Sequence, residues 1–573
     1  MAKFLIGLVA GILLAGLAAI IAVFAIVRLG ERPPEVRENS VLILDLEGEI
    51  HERAPLTIPL PFFEEKAPLT TSDLWRLVRT AETDSRIKAV VLMPGRIEAG
   101  WAKLQEIHAS LTRLAKSGKP VAAYLRSPST REYYLATAAG RVYMSPEDLL
   151  DLKGLRAELT YFRGTLDKLG VQVEIEHAGK YKDYGDMFTR TAMSPETREV
   201  LNSILDELYA HLAQSVAAGR KKTPEEVRAI IDDGPFLARQ ALSRGLVDSL
   251  LYEDQALSEV AQKTAVGPLS RVNARSYLRA VAAADALGGP NRAALVVGEG
   301  SITRGPATEF EADGGIRAPQ FIQTLRQVGR DPGIRAVVVR IDSPGGDSFA
   351  SDEIWREMNA LSKRKPLVFS LSDEAASGGY YIAMTGDPVV AYPGTFTGSI
   401  GVFFGKVNLR GLYDKLGIRK QLLTRGRFAA IDSDYEPLSE AARRKLREGV
   451  EDNYRAFVQK VAEARKRKFE EVEPLAQGRV WLGTQAKRNG LVDELGGLDR
   501  AVELVREKAK IPRAQRITLV VYPPKRSLFE KLMSRSSQST GPEWLRAFLR
   551  RWPVTVFTNG GFLRLMPYSI TVK

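Results

Sequence analysis

Arg86-Ile-Lys-Ala-Val-Val-Leu92 and Gly333-Ile-Arg-Ala-Val-Val-Val339 carry one pattern twice, 247 residues apart. Moving outward from this pair, Lys119-Pro-Val-Ala-Ala-Tyr124 answers Lys365-Pro-Leu-Val-Phe-Ser370. Met193-Ser-Pro-Glu-Thr-Arg198 answers Leu438-Ser-Glu-Ala-Ala-Arg443, and Gly245-Leu-Val-Asp248 answers Gly490-Leu-Val-Asp493. The separation stays between 245 and 247 throughout. Four matches in one order and nearly one register mark a duplicated domain, with halves at 36–265 and 292–525. The length of 573 residues also exceeds what one hydrophobic core usually serves.

Within the second half, the runs Ala293–Val297, Ala336–Ile341, Leu367–Leu371 and Pro388–Ala391 are rich in valine and bounded by glycine or proline. They are too short for helices and read as strands. Phe321–Val328 and Asp352–Leu361 between them read as helices. Strand and helix in alternation predict an α/β fold with largely parallel strands. Ser270–Gly289 is alanine-rich and closes on Gly288-Gly-Pro290, so 266–291 is expected to be a helical connector.

The ends differ from the body. Phe4–Val27 is an uncharged run of 24 residues, enough as a helix to cross the roughly 30 Å hydrocarbon layer. It is longer than the apolar core of a cleaved signal peptide, so 1–35 is expected to be a membrane anchor and linker. Arg28, Arg32 and Arg37 after the span are interleaved with Glu31, Glu35 and Glu38, and charge bias leaves the orientation open. Residues 526–573 are expected to form a basic amphipathic tail. Across 525–552 there are seven Lys/Arg against two Glu, with Leu528, Phe529, Leu532, Trp544, Leu545, Phe548 and Leu549 spaced for two short amphipathic helices. Anionic lipid would suit such a face.

The formal charge is +13, which favours anionic partners. The basic residues are not interleaved with aromatics in a nucleic-acid module, so nucleic acid is not expected and membrane headgroups are the better match. The chain has no cysteine, which excludes disulfides, thiolate zinc sites and thiol chemistry. No His-Glu-x-x-His or Gly-x-x-x-x-Gly-Lys-Ser/Thr occurs, so neither metal nor nucleotide cofactor is expected.

Chemistry concentrates in Ser370-Leu-Ser-Asp-Glu-Ala-Ala-Ser-Gly-Gly-Tyr-Tyr-Ile-Ala383, where an apolar strand runs into Ala-Ala-Ser-Gly-Gly and a helix-forming run. A serine at such a junction is placed for acyl transfer, because nearby glycines let backbone N–H groups approach a carbonyl oxygen. Read alone it could equally be a helix cap. Two more glycine-rich turns follow neighbouring strands: Asp342-Ser-Pro-Gly-Gly-Asp347, whose Gly345 or Gly346 could join Gly378 as an oxyanion donor, and Gly394-Thr-Phe-Thr-Gly-Ser-Ile-Gly401, which carries Ser399. His51, His108, His177 and His211 all lie in the first half. The serine-bearing half therefore cannot build a Ser-His-Asp triad from its own residues, and a base must come from elsewhere.

The anchor, the duplication, Ser-Pro-Gly-Gly, Ala-Ser-Gly-Gly-Tyr and Thr-Gly-Ser-Ile-Gly, in that order, resemble the signal peptide peptidase A (protease IV) peptidases of family S49. They resemble the long form with tandem ClpP/crotonase-like domains behind one N-terminal transmembrane helix. The resemblance implies Ser377 as nucleophile and, from Gly179-Lys-Tyr-Lys182, Lys182 as general base, with Lys180 its neighbour and rival. It also implies that Ser399 orients the lysine. Asp183 stands where the family often has a small or hydroxylic residue, and a carboxylate there could hold the lysine charged. Buried among apolar groups, a lysine can lose its proton near neutrality and serve as a base. The resemblance further implies cleavage of remnant signal peptides and other apolar unfolded peptides without ATP. The enzyme would be a homotetramer on the outer face of a bacterial cytoplasmic membrane.

The repeat register puts Thr130, Arg131 and Glu132 opposite Ser377, Gly378 and Gly379, and Arg427 opposite Lys182. Each half is thus expected to contribute one catalytic component. A noncatalytic membrane scaffold, or a crotonase-type acyl-CoA enzyme using the same paired N–H groups, are the competing functions.

Overall fold

Short runs of β-branched residues flanked by glycine and proline become central strands here because both of their faces are covered by helices. The computed structural model describes residues 34–54, 68–264, 270–285, 291–305, 315–523 and 561–566, with Gly11, Gly289 and Val572. In the first half the strands Ser270–Asn273, Ser40–Glu49, Ile87–Glu98, Val121–Leu125, Arg141–Met144 and Ser249–Leu250 lie side by side in that order, all parallel. In the second, Thr518–Tyr522, Arg292–Glu299, Ile334–Ser343, Leu367–Ala376, Val389–Ala391 and Glu494–Leu495 repeat the order and the direction. All four valine-rich runs of the second half fall in strands, and the expected helices are Ala318–Arg330 and Ser348–Ser362.

Polar anchors repeat with the strands. Lys119 Nζ donates to the carbonyls of Asp84 and Ile87, and Lys365 Nζ to those of Asp331 and Ile334. Tyr133 Oη donates to Leu246 O at 2.8 Å and Tyr380 Oη to Leu491 O at 2.6 Å. Arg220 pairs with Asp248, and Arg465 with Asp493. Two helices of 26 residues, Pro195–Arg220 and Glu440–Arg465, are capped by Ser194 and Ser439 and end in left-handed lysines. The α/β duplication read from the sequence is thus present down to its buried hydrogen bonds.

The stretch 266–291 is helical only from Ala274. Its described part opens with Ser270–Asn273, which extends the first sheet beside Ser40–Glu49. Helix Ala274–Asp285 then packs on Thr71–Thr83, with Tyr277 Oη donating to Asp84 at 2.9 Å. A strand of four residues has no periodicity to read, and Val272 is its one buried apolar side chain. Apart from Gly11, the expected span Phe4–Val27 lies outside the described residues. Among those described, no helix is long and apolar enough to cross a membrane. Residues 524–560, which hold the expected tail helices, also lie outside them.

A third sheet joins the halves. Its order is Ile316–Arg317, Ile302–Thr303, Gly345–Asp347, Phe562–Leu565, Val402–Asn408 and Gln172–Ala178. The last strand comes from the first half and pairs antiparallel with Val402–Asn408 over its full length. Glu174 and Glu176 on it bind Arg443 at 2.7 Å each, from the long helix of the second half. Two buried ionic clusters also cross over. Arg340 meets Glu52 at 2.8 Å and Glu106 at 2.6 Å, and Lys103 meets Asp342 at 2.7 Å.

Candidate active site at the junction of the halves

Strands Leu367–Ala376 and Phe396–Gly398 run parallel with Ala376 opposite Gly398. The next residue of each, Ser377 and Ser399, therefore leaves the sheet at the same edge. Both take positive φ, +52° and +49°, a region that side chains other than glycine seldom occupy. Ser377, with ψ at −114°, stores strain on the order of 1–3 kcal/mol. It is held by its N–H donating to Gly398 O and by Tyr381 N–H donating to Ser377 O, each at 2.8 Å. The helix after it, Gly378–Tyr381, is a single turn, shorter than the run of helix formers suggested.

Lys182 arrives from the other half. After strand Gln172–Ala178 the chain turns at Gly179, where φ is +108° and a Cβ would stand 2.5 Å from the Gln477 carbonyl carbon. Tyr181 N–H donates to Gln477 O at 2.7 Å. Gly478 and Gly401 clear a channel for the lysine stem, since a Cβ would lie 2.6 Å from Lys182 Cβ at the first and 3.0 Å from Cδ at the second. Lys182 Nζ ends 2.8 Å from Ser377 Oγ, 3.0 Å from Ser399 Oγ and 3.1 Å from Ser399 O. The side chain is fully buried. Burial pushes its pKa well below the ordinary lysine value, and the nearby Arg564 guanidinium acts in the same direction.

Asp183 does not form an ion pair with Lys182. Its carboxyl accepts from Thr197 Oγ1, and burial raises its pKa to about 7. Lys180 is exposed, with Nζ 3.5 Å from Tyr181 Oη. His177 is exposed and lies against Gly179 O, while His108 and His211 gather around Tyr134. None of these joins the Ser377 cluster.

Gly345 at φ +100° admits no side chain: a Cβ would collide with the Arg564 carbonyl oxygen and stand 2.6 Å from the Gly378 amide nitrogen. The Gly345 N–H donates to Ser343 Oγ at 3.2 Å. A Cβ on Gly378 would lie 3.1 Å from both the Gly345 Cα and the Gly346 nitrogen, so the Gly345-Gly346 turn packs directly against the residue that follows Ser377. At the matching place in the first half, Glu132 is buried and its carboxylate accepts from the N–H groups of Ile97 and Ser129, both at 2.9 Å. A side chain fills that cradle. Arg427 is exposed on a loop.

Against known proteins, the model of peptidase family S49 matches residues 113–267 and 359–512. The chain is 32% identical over 490 residues to the chloroplastic serine protease SPPA of Arabidopsis thaliana, covering 85% of this chain and 71% of that protein. It is 33% identical over 455 residues to Protease 4 of Salmonella typhi, covering 77% and 72%. With Protease 4 of Haemophilus influenzae it is 31% identical over 507 residues, covering 84% and 81%. This chain belongs to peptidase family S49. It is a serine protease of that family, and the two matched segments fall one in each half, making the duplication a tandem of S49 domains. The first segment contains Lys182 and the second Ser377.

One strand beside the Ser377 cluster went unread in the sequence. Strand Phe562–Leu565 lies between Gly345–Asp347 and Val402–Asn408, antiparallel to both. Its signal was a short apolar run broken only by Arg564, Phe562-Leu-Arg-Leu-Met566, set between Gly560-Gly561 and Pro567, within a tail otherwise notable for charge.

Proposed function

We propose that this S49 peptidase is a membrane-bound, ATP-independent endopeptidase with a Ser377–Lys182 dyad assembled across its two halves. Its substrates would be remnant signal peptides and other apolar unfolded peptides. The observation that carries the reading is a lysine amine 2.8 Å from a serine hydroxyl with no exposed surface. In water an amine is protonated at neutral pH and cannot take a proton; buried, it can. Neutral Lys182 accepts the Ser377 proton as Oγ attacks the peptide carbonyl. The ammonium then returns that proton to the departing amine, and water attacks the acyl-enzyme through the same base. Ser399 fixes Nζ through its hydroxyl and carbonyl. Of the glycines considered as oxyanion donors, Gly378 and Gly346 fit best, since the Gly345 N–H is engaged by Ser343. Membrane attachment rests on Phe4–Val27, and homotetramer assembly on the family resemblance.

The test is acylation by a serine-directed phosphonate and hydrolysis of a fluorogenic peptide with an apolar residue before the scissile bond, in detergent without ATP. Wild type and Lys180→Ala are expected to react and Ser377→Ala to do neither. Labelling of wild type at another serine would overturn the assignment.

Asp183 offers a finer check. Below about pH 7 its carboxyl is protonated. Above that its charge favours the ammonium form of Lys182, raising the lysine pKa. Asp183→Asn keeps an acceptor for Thr197 and removes the charge. The acid limb of kcat/KM is expected to move to lower pH, by up to about one unit; movement to higher pH would contradict this coupling.

A further inference from the structure

We propose that the chain's own C-terminal strand, Phe562–Leu565, occupies the peptide groove as a substrate mimic and competes with peptides for it. This rests on the peptidase reading above and adds a built-in competitor to it. Extended peptides commonly bind enzymes by adding a strand to an exposed sheet edge, with alternate side chains entering pockets. Here the added strand is internal. Gly345, Gly346 and Asp347 pair with Leu565, Arg564 and Leu563, while Phe403 and Phe404 pair with Leu563 and Phe562. Met566 N–H donates to Pro344 O at 2.7 Å.

The register aims one carbonyl at the reacting centre. Arg564 pairs with Gly346, and its carbonyl oxygen and the Gly378 nitrogen crowd the same point beside Gly345. That is where the carbonyl of a peptide under attack by Ser377 would sit. Side chains alternate as a bound substrate's would: Leu563 and Leu565 join the cluster of Phe403, Phe188 and Leu166, while Phe562 faces Phe404 and Phe349. The Arg564 side chain enters a buried pocket, its guanidinium 3.8 Å over the Tyr381 ring and 5.2 Å from that of Phe457.

Arginine fits this pocket imperfectly. Nη1 donates to Ser348 O at 3.3 Å, and Nε has no hydrogen-bond partner among the described residues. A buried cation lacking a full set of partners is held less well than an apolar side chain of similar size. A peptide offering leucine at this position would displace the tail, whose advantage is attachment to the same chain and hence a high effective concentration.

The experiment compares full-length protein, a chain ending at Asn559, and full-length Arg564→Leu. With the groove open, KM for the fluorogenic peptide is expected to fall by about tenfold or more in the shortened chain, as for any site freed from a minor open state, while loss of the Arg564 charge moves the acid limb of kcat to higher pH. Arg564→Leu is expected to raise KM by improving the occupant. A synthetic peptide of residues 560–573 should inhibit the shortened chain competitively. If shortening leaves KM unchanged, abolishes the activity of a folded chain, or fails to fold while Arg564→Leu does not raise KM, the tail is a fixed part of the scaffold and the proposal fails. Binding of the fluorescent 560–573 peptide to shortened Ser377→Ala protein separates the two readings. Binding that an apolar peptide displaces supports the occupant even where no protein form acylates, whereas absence of binding beside an active wild type overturns the occupant alone.

Discussion

Lys182→Met is expected to lower kcat for peptide hydrolysis by about 10³-fold or more, the order seen when a general base is removed from a nucleophile it activates. Methionine fills the same channel past Gly401 and Gly478, so packing is kept and the proton acceptor alone is lost. Lys182→Arg should be as inactive, because a guanidinium stays protonated in proteins. The pH profile carries the sign. Wild-type kcat/KM should rise with pH through the depressed pKa of Lys182 and level off above it. The residual rate of Lys182→Met should lack that limb. Stability should move the other way. Over the interval between the depressed folded pKa and the ordinary lysine value the unfolded chain binds a proton that the folded chain does not, so stability rises with pH there. Below it, ammonium must form in a buried site. Lys182→Met removes this penalty and is expected to raise the urea midpoint at neutral and mildly acidic pH. A variant that is both inactive and less stable would mean that the amine is a structural cation, and the base would have to be sought elsewhere.

What could be read in the sequence was what local pattern encodes. The valine-rich runs located the strands, and the 247-residue echo implied that the second half repeats the order of the first. Ala-Ala-Ser-Gly-Gly marked Ser377, because a strand meeting two glycines is a local event. Lys182 had no local signal apart from a family motif. The role proposed for it depends on Gln172–Ala178 being zipped onto Val402–Asn408, a pairing of residues more than two hundred positions apart. Which of Gly345 and Gly346 would join Gly378 as a donor was likewise open, and the hydrogen bond from the Gly345 N–H to Ser343 favours Gly346 for that proposed role. The tail strand was hidden by its neighbours: seven basic residues across 525–552 pointed toward lipid, while the four residues of Phe562–Leu565 lie further on.

The proposed dyad also depends on contacts that no motif announces, and this gives the largest expected effect on stability. Arg340, from the second half, is 1% exposed and meets Glu52 and Glu106 of the first, with Ser370 Oγ accepting at 2.9 Å. Burial opposes ionisation of Glu52, but Arg340 and Lys103 outweigh it and hold its pKa at about 2. Burial and the neighbouring Glu52 charge push Glu106 upward. The Arg340 guanidinium is thus the larger of two cations that keep a buried carboxylate ionised there. Arg340→Leu is expected to destabilise the protein by about 3–5 kcal/mol at neutral pH, the cost of stranding a buried charge. Activity should fall with it, since the junction that loosens also presents Lys182 to Ser377. Adding Glu52→Gln and Glu106→Gln to Arg340→Leu removes the stranded charge and should restore most of the loss, because two neutral amides in place of two carboxylates leave nothing to ionise. The sign of the pH response separates the variants. In wild type the Glu52 contribution is present above the ordinary carboxylate pKa and is lost as pH falls toward about 2. Arg340→Leu should instead gain stability on mild acidification, as Glu52 takes up a proton. Urea midpoints of the single and triple variants at pH 5 and 8 decide it: a single variant no less stable than the triple would mean that the cluster crosses the junction without holding it.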